Sequence, residues 1–404
     1  MKQKLVVIGN GMAGMRTVEE LLAAAPDKYE ITVFGAEPHG NYNRILLSSV
    51  LSGEKNIGDI VINDRQWYSD NGIRLHAGEN KTVVRLDRAK KQVHAQDGTV
   101  ASYDRLLIAT GSNAVRPDIP GNNLDGVVSF RDMVDVETML AYSQSHNHAV
   151  VLGGGLLGLE AANGLVQRGM DVTVIHNNEI LLNRQLDRPA AKLLQVALEQ
   201  RGIKFKMAAK TQALLEDDNG HVRAVAFADG GRLPCDLFVT AVGVRPNIAL
   251  AQASGLYCER GIVVNDTLQS FDPSIYAVGE CIQHRGDTFG LVAPLFEQAK
   301  VCANHLSAHG VAQYITLPTS TKLKVTGINL FSVGDFWGDA QTETIHFTDA
   351  ALGIYKKLVI KAGKLVGAVL YGDTADGSWY QELLEKGEDI TWMREGMIFG
   401  QNQI

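Results

Sequence analysis

Cysteine is scarce in this 404-residue chain, and the four present, Cys235, Cys258, Cys281 and Cys302, stand more than twenty positions apart. A redox disulfide, an iron–sulfur cluster or a zinc knuckle draws on cysteines a few residues from one another, so this spacing argues against all three. The eleven histidines show no metal-ligand spacing, and no metal site is expected. No apolar run approaches the ~20 residues that span a bilayer, and the chain runs from Met1 almost directly into a strand. Neither a membrane partner nor a signal peptide is expected, and free thiols without a leader point to the cytoplasm. A surplus of positive charge is missing too. The 38 Lys and Arg are outnumbered by 45 Asp and Glu, the net charge is −7, and the basic residues do not cluster. Nucleic acid is therefore not an expected partner.

Glycine is abundant, with 41 residues, and it concentrates where strands end. In Lys4-Leu-Val-Val-Ile-Gly-Asn-Gly-Met-Ala-Gly14 a buried strand runs into Gly9, Gly11 and Gly14, with Met12 and Ala13 between the last two. A helical stretch follows from Met15 to Ala25, with Val18, Leu21 and Leu22 at helical intervals. In such a turn the first glycine permits the reversal, the second lets the backbone approach a pyrophosphate, and the third lets helix and strand pack closely. The helix start then offers free N–H groups to phosphate. A second strand, Glu30 to Phe34, leads to Glu37, placed to accept hydrogen bonds from an adenosine ribose.

The pattern returns about 145 residues later in Ala149-Val-Val-Leu-Gly-Gly-Gly-Leu-Leu-Gly-Leu-Glu160, where Gly153, Gly155 and Gly158 keep the spacing and Leu156 and Leu157 open the helix. Its second strand, Asp171 to Ile175, ends at His176 instead of an acid. A carboxylate there favours NADH and repels a 2′-phosphate; without it NADPH is not excluded, and Arg184 is placed to help hold the phosphate. Two such units in one chain predict one tightly held dinucleotide and one that exchanges. At this length two or three domains are expected.

Three further strands carry a family resemblance. They end in Ala109-Thr-Gly111, in Gly243-Val-Arg-Pro-Asn247, and in Gly279-Glu280. The chain resembles the flavoproteins with two dinucleotide-binding domains, the superfamily of glutathione reductase and of the ferredoxin and rubredoxin reductases. The resemblance implies an α/β fold with two Rossmann-like domains, for FAD and NAD(P), plus a C-terminal α+β domain. The expected division is an FAD domain over 1–112 and 238–315, an NAD(P) domain over 113–237, and the third domain over 316–404. In that third part, Lys322–Phe331 and Tyr355–Tyr371 show strand character, with turns at Gly334 and Gly363. Where disulfide reductases of the family carry two cysteines, this chain has Tyr42-Asn-Arg-Ile-Leu-Leu-Ser48, so electrons are expected to leave from the flavin itself.

Shorter segments, among them Tyr42–Ser48, Arg184-Gln-Leu-Asp187, Phe289–Pro294, Ser320–Lys324 and Gly372–Thr374, resemble the N-terminal flavin module of assimilatory nitrite reductase. Long members of that family continue into cluster and sirohaem regions. This chain is accordingly expected to be a separate reductase subunit or a piece of a longer enzyme.

The resemblance also implies roles. Gly9, Gly11, Gly14 and Glu37 hold the adenosine diphosphate half of FAD. Arg44 and Ser48 sit beside the isoalloxazine, Arg44 as a candidate catalytic group. Thr110, Gly111 and Glu280 line the flavin, and Phe296-Glu-Gln-Ala299, with Gln298, resembles the helix start at its pyrimidine edge. Gly153, Gly155 and Gly158 bind the nicotinamide dinucleotide, and Glu160 lies near its nicotinamide as the second catalytic candidate. Cys281 is expected to be a small buried residue. The implied activity is hydride transfer from NADH or NADPH to FAD, followed by electron delivery to a separate acceptor: the sirohaem and iron–sulfur part of a nitrite or nitrate reductase. A ferredoxin or rubredoxin acceptor, or a flavin-bound redox sensor, are the alternatives. A homodimer through the C-terminal domain is a further possibility that the resemblance raises.

Overall fold

The computed structural model describes residues 2–316, 320–325 and 327–403. They form two compact units. The first comprises Met1–Leu47, Lys55–Ala114 and Val244–Thr316, and the second Ser48–Glu54, Val115–Gly243 and Leu317–Ile404.

Along the chain the elements that position the candidate sites begin with β1 (Gln3–Ile8), α1 (Met12–Ala24), β2 (Tyr29–Gly35), α2 (Leu47–Ser52), β3 (Arg74–Ala77), β4 (Arg105–Ile108) and β5 (Ser112–Ala114). Next come β6 (Val127–Ser129), β7 (His148–Leu152), α3 (Leu156–Gln167), β8 (Asp171–Ile175), α4 (Arg188–Glu199) and β9 (Lys204–Lys206). Then follow β10 (Leu237–Thr240), β11 (Val244–Pro246), β12 (Ile275–Ala277) and α5 (Val292–Leu306). The C-terminal part holds β13 (Thr321–Val325), β14 (Ile328–Gly334), β15 (Glu343–Asp349), β16 (Ile354–Lys361), β17 (Lys364–Tyr371) and α6 (Gly377–Lys386).

In the first unit β12, β4, β1, β2 and β3 lie side by side in that order, all parallel. Parallel strands are covered on both faces, which is why they are written as unbroken apolar runs. Leu5 to Ile8 and Leu106 to Ile108 are all buried. Helices α1 and α5 pack against each other, and the unit shares one apolar core from Leu5 to Tyr314.

The second unit repeats the plan. Its parallel sheet runs β6, β10, β7, β8, β9, with α3 against β7 and β8. Strand β10 is thus a central strand of this sheet, hydrogen-bonded to both β6 and β7. Residues 238–243, given to the FAD domain by the sequence, fall in the second unit. The apolar run Leu237 to Thr240 fits either sheet by composition, and only pairing distinguishes them.

Residues 320–403 contribute an antiparallel sheet in the order β13, β14, β17, β16, β15, with α6 packed on β14 and β17. The stretch Lys322–Phe331, read from the sequence as one strand, is two: β13 and β14 pair as a hairpin, with Gly327 at φ +89° in the turn. Thr326 lies outside the described residues. Gly334 closes β14 and Gly363 turns β16 into β17, both at positive φ.

On β16, Tyr355 and Lys357 share a face because side chains alternate along a strand. Both reach Asp187, the N-cap residue of α4. The Tyr355 hydroxyl donates to its Oδ2 at 2.6 Å, and the Lys357 Nζ stands 3.8 Å away. Lys356 points the other way, to Asp373 at 2.7 Å. Asp187 is only 3% exposed, so its charge depends on these partners. Tyr355→Phe should therefore destabilise the fold by about 1–3 kcal/mol, measured by chemical denaturation. An unchanged midpoint would show that Lys357 alone suffices.

Candidate functional site

Both glycine turns are built alike. Gly9 has φ +112° and Gly153 φ +126°, conformations that side chains resist. A Cβ on Gly9 would lie 2.1 Å from the Ala109 carbonyl oxygen, and one on Gly153 would lie 2.3 Å from that of Ala241. A Cβ on Gly14 would press the Gly9 oxygen at 2.9 Å, and one on Gly158 the Gly153 oxygen at 1.9 Å. These four glycines are required by the protein's own packing.

Gly11 and Gly155 are not. Each is the N-cap of its helix in extended backbone, φ −94° and −88°, which any residue adopts. A Cβ on either would meet no protein atom within 4 Å. Each helix start lacks both a side-chain cap and a first-turn acid, leaving N–H groups free for an anion. A glycine that neither conformation nor packing demands, at an uncapped helix start, fits a pyrophosphate lying against the backbone. Met12 and Ala13 open α1, and Leu156 and Leu157 open α3, in the first helical positions where those N–H groups are presented.

The other flavin candidates of the first unit are held by hydrogen bonds. Thr110 donates its hydroxyl to the Asn247 carbonyl at 2.7 Å, and the Asn247 N–H donates to the Gly111 carbonyl at 2.9 Å. Between these bonds β5 pairs with β11. Ser112 donates to Glu280 Oε2 at 2.8 Å, and the Gly279 N–H donates to Gln298 Oε1, also at 2.8 Å. Gly279 approaches Ala13 closely enough that a Cβ would stand 3.0 Å from it. Gly243, by contrast, falls in the second unit, where its carbonyl accepts the Val115 N–H.

Arg44 pairs with the carboxylate of Glu37 and lies over the Tyr42 ring, whose hydroxyl donates to the other Glu37 oxygen at 2.6 Å. Ser48 falls in the second unit. Opposite charge draws Arg44 to the half-buried acid, a pairing that sequence spacing does not reveal. Phe296–Ala299 is not a helix start. Helix α5 begins at Val292 after the N-cap Leu291, so its free N–H groups belong to the turn that contains Pro294. A proline in the first turn loses no helical hydrogen bond.

In the second unit the Gly154 N–H donates to His176 Nδ1 at 3.2 Å, and a Cβ on Gly154 would meet the imidazole at 2.9 Å. Burial lowers the His176 pKa, with a hydrogen bond to the Ile180 backbone opposing. A neutral ring is also what accepting an N–H requires. Leu182 donates its N–H to the Gly154 carbonyl, which brings the chain carrying exposed Arg184 toward the same turn.

Glu160 lies in the second turn of α3. Burial raises its pKa to about 7, and a hydrogen bond with the Ser48 side chain pulls it back. Sequence reasoning missed the residues that hold Ser48 there. Arg168 donates from Nε to the Leu51 carbonyl at 2.6 Å and from Nη2 to that of Val50 at 3.1 Å. The available signal was the four-residue interval linking Glu160, Gly164 and Arg168.

Cys281 is fully buried, its Sγ at 3.3 Å from the Val278 carbonyl oxygen, and burial raises its pKa to about 11. The four cysteines are all free thiols.

With this geometry in place, comparison with known proteins gives a family model for pyridine nucleotide-disulphide oxidoreductases that matches residues 3–305. The chain belongs to that family. A second model, the rubredoxin NAD+ reductase C-terminal domain, matches residues 319–388. The NAD(P)H nitrite reductase of Bacillus subtilis is 48% identical over 390 residues, covering 96% of this chain and 48% of that one. The assimilatory nitrate reductase electron transfer subunit of the same organism is 44% identical, covering 98% and 51%. This chain thus spans about half the length of these curated relatives. Among solved structures, a ferredoxin reductase from Rhodopseudomonas palustris superposes with a TM-score of 0.86 at 25% identity, covering 96% of each chain. The family works with FAD and NAD(P)H, and this chain is an oxidoreductase of that kind. Among the described residues no helix is long and apolar enough to cross a membrane.

The raised Glu160 pKa carries a sign. The carboxyl keeps its proton more tightly folded than unfolded, so its contribution to stability is complete below the ordinary carboxylate range. That contribution is lost as pH rises towards about 7. Glu160→Gln should therefore raise the melting temperature relative to the parent at pH 8 and change it little at pH 4, followed by thermal unfolding across pH. An equal gain at both values would refute the assignment.

Proposed function

We propose that this chain takes a hydride from NADH or NADPH onto FAD and delivers the electrons to a separate acceptor, the sirohaem and iron–sulfur part of an assimilatory nitrite or nitrate reductase. The observation that carries the two-nucleotide part is the pair of glycines, Gly11 and Gly155, that packing does not require. When bound, FAD accepts two electrons as hydride and releases them singly.

The chain's residues bind and orient. Gly9, Gly11 and Gly14 receive the FAD pyrophosphate, with Glu37 and Arg44 at the adenosine end. Ala109, Thr110, Gly111, Gly279, Glu280 and Gln298 frame the flavin side, and Pro294 lies in the first turn of α5. Gly153, Gly155, Leu156, Leu157 and Gly158 receive the nicotinamide nucleotide, with Glu160 towards the nicotinamide and His176 and Arg184 at its adenosine end. Residues 1–47, 55–114 and 244–316 form the FAD domain in this reading, 48–54 and 115–243 the NAD(P) domain, and 317–404 the third, through which a homodimer forms. The working compartment is the cytoplasm. The acceptor is argued from the two Bacillus relatives, whose remaining halves lie outside the matched segment.

The match to a rubredoxin reductase C-terminal domain favours a second reading, in which a rubredoxin or ferredoxin takes the electrons. Stopped-flow mixing of the anaerobically reduced protein with a sirohaem nitrite reductase fragment, a ferredoxin and a rubredoxin separates them, since the true acceptor reoxidises the flavin fastest. Anaerobic titration with NADH and with NADPH should bleach the flavin within seconds, and an oxidised spectrum unchanged by either would end the hydride-transfer reading. Arg184→Ala should raise the KM for NADPH about tenfold, roughly 1.4 kcal/mol, while leaving that for NADH within about twofold. Equal losses for both nucleotides would remove Arg184 from the 2′-phosphate.

A further inference from the structure

Helix α3 carries Glu160 and Gly164 four residues apart, and Arg168 follows at the same interval as its C-cap. Residues so spaced line one helix face. All three meet the same short piece of chain. Ser48 hydrogen-bonds Glu160. Leu51, fully buried, comes so close that a Cβ on Gly164 would stand 2.8 Å from its Cγ. Arg168 grips the Val50 and Leu51 carbonyls at the end of α2, where Gly53 turns the chain at φ +88°. The segment Ser48–Glu54 accordingly belongs to the second unit, although its neighbours on either side belong to the first.

Each contact supplies what a six-residue helix lacks. So short a helix has little stability of its own, and its last carbonyls have no partners within it. The guanidinium satisfies two of them from one planar group, which an ammonium does not match. Glycine inside a helix is less favourable than alanine; here it opens the space that Leu51 fills.

We propose that Gly164 and Arg168 are positioning residues that seat α2 on α3 and so hold Ser48 against Glu160. The importance of this for turnover rests on the reading that Glu160 serves the nicotinamide nucleotide. Ser48 donates to the ionised carboxylate and favours it, so losing that hydrogen bond makes the proton harder to remove.

The test follows Glu160 directly, by NMR of the FAD-loaded protein labelled with carbon-13 at its glutamate carboxyls. The signal is assigned by its loss in Glu160→Gln. Ser48→Ala should raise the titration midpoint by roughly half a pH unit, about threefold in proton affinity. Arg168→Ala and Gly164→Ala should shift it in the same direction, and Ser48→Ala combined with Arg168→Ala should shift it no further than Ser48→Ala alone. Arg168→Lys keeps the charge without the fork and carries the test if the alanine variant does not fold. A lowered melting temperature with an unmoved midpoint in the Arg168 variants would overturn the proposal, as would additive shifts in the double variant. The pH profile of flavin reduction by NADH is measured beside it. A profile that ignores the NMR midpoint removes Glu160 from turnover, a failure of the functional reading that the NMR result distinguishes from a failure of the seating.

Discussion

The contact on which both halves of this molecule depend is backbone against backbone. At Gly9 and again at Gly153 a strand reverses into a helix so tightly that the place of a side chain is filled by the carbonyl of a neighbouring strand end, Ala109 in one unit and Ala241 in the other. Five residues on, Gly14 and Gly158 let the helix settle on the same turn. A methyl group at any of the four would have to displace main-chain atoms, which do not move as side chains do. From this approach follows the rest: each helix starts with neither a side-chain cap nor a first-turn acid, and an extended glycine leaves the backbone open to a phosphate.

Electrons have few other places to go. The thiols of Cys235, Cys281 and Cys302 are buried, and burial raises the pKa of each, so the reactive thiolate is disfavoured. Cys258 is partly exposed and its pKa is raised as well. The family's name includes a disulphide, but the four cysteines of this chain are free thiols. The stretch Tyr42 to Ser48 serves another end. Its first part binds Arg44 to Glu37, and its last residue meets Glu160.

Charge inside the second unit is handled by pairing. Lys356 and Lys357, neighbours on β16, are both buried and point to opposite faces, one to Asp373 and the other to Asp187. A buried pair of this kind contributes little net stability against an apolar substitute, yet leaving one partner alone is costly. Such pairs fix which face of the strand meets which helix, as Tyr355 and Lys357 do for α4.

What was legible in the chain was local. Both glycine turns, their flanking strands and helices, the Ala-Thr-Gly and Gly-Glu strand ends and the turn at Gly363 all follow from the order of residues within about fifteen positions, because backbone conformation and strand periodicity are settled at that range. Pairing across long separations was not legible. Composition does not say that Leu237–Thr240 joins the second sheet, that Lys322–Phe331 folds back at Gly327, or that Arg44 meets Glu37. The start of α5 at Val292, four residues before Phe296, was not legible either. The stripe Glu160, Gly164 and Arg168 could be seen as a spacing, but its partners Ser48, Val50 and Leu51 lie more than a hundred residues earlier. The sequence by itself determined where the chain turns and which helix starts leave N–H groups uncapped, since those depend on which residues tolerate a given backbone. Tertiary structure alone decided which side chains share a charge or a proton, because an electrostatic partner is chosen by distance in space.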